Sequence, residues 1–148
     1  MDEVEQWVND IQDWITQTEE EIYTDISNTV VGLFDLVVDY SPHYFKGSKY
    51  STGQFVANWQ VGDSAAMAPI LGIKSTPEAK KAEIRAKLTP DYFRYNKSAY
   101  IVNCLDYASK VEYEGWKITS AYMPINRALA GYSGEAPVTR AIIQSIGA

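Results

Sequence analysis

Asp39-Tyr40-Ser41-Pro42, then a basic aromatic loop, then Ser51-Thr52-Gly53-Gln54-Phe55-Val56-Ala57-Asn58-Trp59-Gln60-Val61-Gly62 is the stretch on which the fold turns. Proline disfavours helical geometry in the residue before it, so a long helical pattern has to end at Ser41-Pro42. Thr52-Gly53 then reads as a turn. Beyond it, Phe55, Ala57, Trp59 and Val61 alternate, which predicts a strand with those four residues on one face. Helix, loop, turn and strand make a join between two kinds of structure rather than a catalytic pocket.

Upstream of the join, residues 3 to about 39 carry helical periodicity. Val4, Val8, Ile11, Ile15, Ile22, Ile26, Leu33 and Val37 recur mostly at three- and four-residue steps, with Trp7 and Trp14 flanking the stripe. Glu5, Gln12, Glu19 and Glu20 occupy the opposite face. Acidic residues at the start suit the positive end of the helix dipole. The pattern predicts an amphipathic helix packed on the rest of the domain, with Asn28 or Gly32 as the place where it would break.

Downstream, small residues between Asp63 and Ile73 predict an exposed connection. Ser75-Thr76-Pro77-Glu78 opens a short helix: a hydroxyl caps it, proline occupies the first turn and an acid follows. That helix runs through Ala82, Arg85 and Leu88 and stops before Thr89-Pro90. Ala99 to Leu105 reads as a second strand and Lys117 to Tyr122 as a third. Pro124 to Gly134 reads as a loop with a helical turn at Arg127–Ala130. The tail from Val138 to Ile146 fits a short helix or a strand, and the pattern leaves both open.

With 148 residues, the chain is long enough to bury a core in one domain. The fold class expected is α+β: residues 1–148 as a single domain, with an acidic amphipathic helix (1–39) and a sheet-containing body (40–148). The sheet is small and mostly antiparallel, packed by the long N-terminal helix and by shorter ones. The first residues are acidic and no leader-type apolar run follows them, so a soluble, unprocessed chain is expected. Thr29 to Val38, the longest nearly apolar stretch, contains Asp35 and is too short to span a bilayer.

The net charge of −6 hides a division. Residues 1–45 hold eleven acidic side chains and no Lys or Arg, whereas residues 46–148 hold eight acidic and thirteen basic ones. One end therefore repels nucleic acid while the other meets acidic surfaces. A sequence-specific DNA binder would concentrate its basic residues on one face instead.

Little reactive chemistry is readable. Cys104, the single cysteine, excludes an internal disulfide and a multi-cysteine metal site, and its apolar neighbours predict a buried side chain. His43, the only histidine, reads as an exposed loop residue. Asp106, Glu112 and Glu114 would suit glycoside hydrolysis if two of them flanked a cleft, but no nucleophile, base and orienting group can be assembled around them. No catalytic residue, cofactor site or metal site is assigned.

Tyr and Trp are abundant, and several of the aromatic residues fall in three clusters, at Tyr40–Tyr50, Tyr92–Tyr95 and Tyr107–Trp116. With Lys46, Lys49, Arg94 and Lys97 among them, they suit a protein interface, where aromatic rings join apolar area to a polar tip. A sugar- or base-stacking platform is the other use of such rings. The candidate interface comprises Tyr44, Phe45, Lys46, Lys49, Tyr50 and Arg94, facing the acidic surface of a neighbour.

Asn103-Cys104-Leu105-Asp106-Tyr107-Ala108-Ser109-Lys110-Val111-Glu112-Tyr113-Glu114-Gly115-Trp116 resembles a signature of tailed-bacteriophage neck proteins, the tail-completion, head-tail joining or minor tail components. The family tends to show Asn, then Tyr-Ala, then an apolar residue and Glu, then Gly. Thr52-Gly53 through Asn58-Trp59 resembles its helix-to-strand join, and Ala136-Pro137-Val138 its closing segment. Against that join, Pro42–Tyr50 stands as an insertion.

The resemblance implies a structural virion subunit that assembles with itself into a ring, sixfold as tails generally are, at the head-tail junction. The ring would complete or terminate the tail, or join it to the head. Its partners would be the tail tube and adjoining neck and head proteins, with DNA passing through without specific binding. It implies no reaction, no cofactor and no membrane, with assembly in the host cytoplasm. Glu5, Glu19 and Glu20 are the candidate channel-facing acids. Two alternatives are a head-side adaptor or stopper and, in another class, a soluble carbohydrate- or ligand-binding module.

Overall fold

The computed structural model describes residues 2–42, 53–64, 69–115, 121–131 and 140–143. Its dominant element is α1, Glu3–Tyr40, an unbroken helix of 38 residues and therefore about 57 Å long. Asp2 caps it: its carboxylate accepts from the Glu5 amide at 2.8 Å, and the Glu5 side chain accepts from the Asp2 amide at 3.2 Å. The helix ends at Ser41 as the Ser-Pro step predicts, and neither Asn28 nor Gly32 interrupts it.

The predicted Phe55–Val61 strand is corrected. Gln54–Ala57 is a single helical turn, α2, and only Gln60–Gly62 is extended, as β1. Phe55, Val56, Ala57 and Trp59 are all fully buried. Alternation cannot report a face where every side is covered, and short apolar runs are ambiguous between strand and helix for that reason. Gly53 starts the turn with φ 93°, and Asn58 ends it by donating from its amide side chain to the Gln54 carbonyl at 2.8 Å.

Pro77–Lys87 forms α3, with Thr76 Oγ1 accepting from the Ala79 amide at 3.2 Å and Pro77 in the first turn, as expected. The same chemistry recurs thirteen residues on in Thr89-Pro90-Asp91, where Thr89 caps a further helix, α4, Pro90–Tyr95. β2 is Tyr100–Asn103, within the expected strand. A five-residue π-helical turn, Lys110–Glu114, then leads toward α5, Pro124–Gly131, which replaces the expected loop with its single turn. Arg140–Ile143 is extended as β3, which resolves the open tail.

The sheet has the order β1-β2-β3. β1 pairs antiparallel with β2 (Val61 opposite Ile101), and β2 pairs parallel with β3 (Ile101 opposite Ala141) across the α5 connection. A parallel pair requires such a crossover. One apolar core joins the inner half of α1 (Val30, Val31, Leu33, Phe34, Val37, Val38) to Phe55, Trp59, Ile84, Leu88, Ile101 and Val111. The fold is α+β. Among the described residues, no helix is long and apolar enough to cross a membrane. Of the proposed third strand, Lys117–Ser120 lie outside the described residues, as do His43 and the loop Tyr44–Tyr50; Ala121 and Tyr122 are not in a strand.

Candidate assembly interface

The apolar stripe of α1 is continuous in sequence but divided in space. From Ile26 onward it faces the core; before that it faces solvent. The division is fixed by two contacts: Arg94 of α4 places its guanidinium 5.5 Å from the Tyr23 ring centroid, and Ser27 Oγ donates to the Leu88 carbonyl at 2.6 Å. Beyond them, residues 2–22 project as an arm of about 31 Å, at 1.5 Å per residue. Its Val4, Trp7, Val8, Ile11, Trp14, Ile15 and Ile22 are exposed, Trp7 by 65% and Trp14 by 66%. The expectation that the whole amphipathic helix packs on the domain is therefore corrected: half of it does.

Scattered apolar residues are ordinary on a protein surface, whereas a contiguous apolar row is not, and this one is the candidate interface. The polar face of the arm supports the helix by itself, through Gln6 donating to Asp10 at 2.8 Å and Gln17 to Glu21 at 3.4 Å. Glu5, Glu19 and Glu20, the candidate channel acids, are exposed on this arm. No cation of the body reaches them among the described residues.

The inner half of α1 meets opposite charge within its own chain. Lys81 Nζ lies 2.8 Å from Asp39 Oδ1 and Arg85 Nη2 lies 3.4 Å from Asp35 Oδ2. Arg127 stacks over Tyr40 at 4.2 Å. Arg94, a candidate interface residue, is held by Tyr23 and, at 3.5 Å, by Asp91. It pins the root of the arm. Burial pushes the Asp35 carboxyl above its usual range, against the opposing pull of Arg85 and Lys81; its Oδ1 is buried without a hydrogen-bond partner.

The motif residues of the sequence are consumed inside the fold. Asn58 donates to the Leu71 carbonyl at 3.0 Å and accepts from the Leu71 amide at 2.7 Å, fastening the 69–75 connection beside β1. Trp59 Nε1 donates to Ser41 Oγ at 2.7 Å, and Ser41 Oγ donates to the Val37 carbonyl at 2.6 Å. This chain locks the end of α1 to the start of β1. Asn103 donates to the Phe55 carbonyl at 3.0 Å and accepts from the Leu105 amide at 3.2 Å. Ala108 and Val111 are fully buried, and Gly115 leaves the π-helical turn with φ 72°.

Glu112 and Glu114 do not face a common cleft. Glu112 is buried, and its two oxygens accept from the Ile125 amide at 3.0 Å and the Asn126 amide at 2.9 Å. It satisfies the otherwise orphaned first donors of α5, where the helix dipole favours a negative group. Glu114 and Asp106 are exposed. A cap supplied from another element leaves no local pattern, so nothing in the sequence around Pro124 announces this role. Cys104 is buried as expected.

The aromatic clusters divide likewise. Tyr92 and Phe93 pack edge to face at 5.0 Å against the core, and Tyr107 lies 6.1 Å from Phe55. Burial, with a smaller contribution from Asp106, pushes the Tyr107 hydroxyl up to about 12. Tyr95 and Tyr113 are exposed. A groove of about 320 Å³ runs between β1 and α3, lined by Val61, Leu71, Val102 and Lys87 among others. No group of three or more His, Cys, Asp or Glu suited to a metal ion occurs among the described residues. Compared with family models, with characterised proteins and with solved structures, the chain matches none of them.

Proposed function

We propose that the chain is a structural virion subunit of a tailed bacteriophage, closing into a ring at the head-tail junction and leaving a channel for DNA. The ring completes or ends the tail, or joins it to the head, and it is sixfold like the tail it serves. The observation that carries the reading is the bare Trp, Ile and Val row on a helix that leaves its own body. Such a surface exists to be covered by protein. A subunit with one projecting arm and a separate body has two different patches, which is what a head-to-tail ring requires.

The resemblance of residues 103–116 to neck proteins supplies the location, and the acidic arm supplies a lining that DNA would not adhere to. The reading as a carbohydrate-binding module is less well supported, since Tyr92, Phe93 and Tyr107 are taken up by the core. The test is to purify the chain, measure its assembly by mass photometry and negative-stain microscopy, and add it to purified tails of the phage that encodes it. Closed rings that bind tail ends support the proposal. A monomer at every concentration, with no retention on tails or heads, overturns it.

A further inference from the structure

We infer that the arm of one copy lies across the body of the next, seating its Trp7–Trp14 row in the groove between β1 and α3. This rests on the ring reading and names its contact. The arm cannot cover its own stripe, because α1 runs without a break from Glu3 to Tyr40 and cannot fold back. A second arm is a poor occupant. Residues 1–25 carry nine acidic side chains and no basic one, so bundled arms repel one another. A lipid surface is disfavoured on the same ground, since interfacial helices carry Lys and Arg on their polar face.

The body of another copy has the complementary sign. Residues 26–148 hold ten acidic and thirteen basic side chains. Several of those acids are engaged internally: Asp39 by Lys81, Asp35 by Arg85, and Glu112 at the start of α5. The groove lies along β1, an edge strand of the sheet. Its apolar lining is Val61, Leu71 and Val102, and Ile70 and Ile73 are exposed on the connection that carries Leu71. Lys87 lines the groove and Lys74 follows Ile73, and neither has an ion pair among the described residues. Of the acids in the lining, Glu83 is drawn to Lys80 at 3.0 Å, leaving Asp63.

Size agrees as well. The groove suits one or two inserted side chains, and an indole seated in a desolvated pocket is the usual anchor of an interface. The arm, at about 31 Å, is as long as a body of this size is wide, roughly 30–35 Å. One arm therefore spans one neighbour.

The experiment places a photo-crosslinking side chain at position 14 of the full chain and mixes it with heavy-isotope-labelled chain before irradiation. The expected adducts join light to heavy chain and fall on residues 60–64, 69–74 or 83–87. In parallel, the double variant Trp7→Asp/Trp14→Asp should raise the concentration for half-assembly about tenfold or more. Lys74→Glu/Lys87→Glu should weaken assembly most at low salt. Circular dichroism checks that the variants fold, since Trp7 and Trp14 touch no core. Adducts confined to residues 2–25 of the second chain, or rings unchanged in the tryptophan variant, overturn the inference and leave the ring reading standing. A wild-type chain that never assembles overturns both.

Discussion

Gly53 turns the chain where a side chain has no room: a Cβ there would lie 2.6 Å from the Ser75 carbonyl oxygen, at a φ of 93°. Gly53→Ala should therefore lower stability by about 2–3 kcal/mol, through positive φ and the backbone clash together. Urea unfolding measures it, and an unchanged midpoint would contradict the geometry. Glu112→Ala strips two donors of a buried, charged acceptor and should cost about 3 kcal/mol. Glu112→Gln, keeping one oxygen, should recover part of that, and equal losses in both variants would count against the cap.

Asp35 gives a pH signature. Burial holds its carboxyl above the ordinary value of 3.8, so between that value and the raised one the folded chain binds more protons than the unfolded chain. Its contribution to stability is therefore greatest at low pH and falls as pH rises through that window. Asp35→Asn lacks this dependence. Relative to wild type, the variant should gain stability as pH rises from 3.8 through that window in urea unfolding. A relative loss over that range would mean that the Arg85 pairing outweighs desolvation.

Elements were legible where local chemistry alone decides them. The Ser41-Pro42 stop, the Thr76-Pro77 cap and the apolar run around Ile101 give α1, α3 and β2 directly. Thr89-Pro90 enters the sequence reading only as the stop of α3, although Thr89 also caps α4. α2 and β1 were not separable, because Phe55 to Trp59 are buried on every side and burial erases the period. β3 depends on pairing with β2, a contact forty residues away that no local pattern records. The arm is the sharpest case: Ile11 and Val37 look alike in a stripe, yet one is bare and the other buried. Periodicity tells which face is apolar and says nothing of what covers it.

A helix without tertiary contacts is marginal in water, since packing supplies most helical stability. Amide hydrogen exchange on dilute chain should accordingly show residues 2–22 exchanging much faster than 27–40. Protection should rise in the arm under assembling conditions. Equal protection of both halves in the monomer would show that the outer half needs no partner.

At the scale of the molecule, charge and shape are organised along one axis. An acidic arm with an apolar row leaves a body that carries the basic residues; Arg94 and Ser27 fix the root of the arm, while Asn58, Trp59, Asn103 and Glu112 fasten elements within the body. In the candidate site, the sequence exposed the charge division and the apolar row. The groove that would receive the row depends on β1 and α3 coming together, which only the fold displays. Of the insertion 42–50, residues 43–50, with Tyr44, Phe45, Lys46, Lys49 and Tyr50, lie outside the described residues.

Self-assembly through the arm is read by mass photometry of the purified full chain across a dilution series. The expected result is one closed species of about six subunits that gives way to monomer on dilution, at higher concentration as salt is raised. A monomer throughout, or an open series of ever larger species with no preferred size, would contradict it.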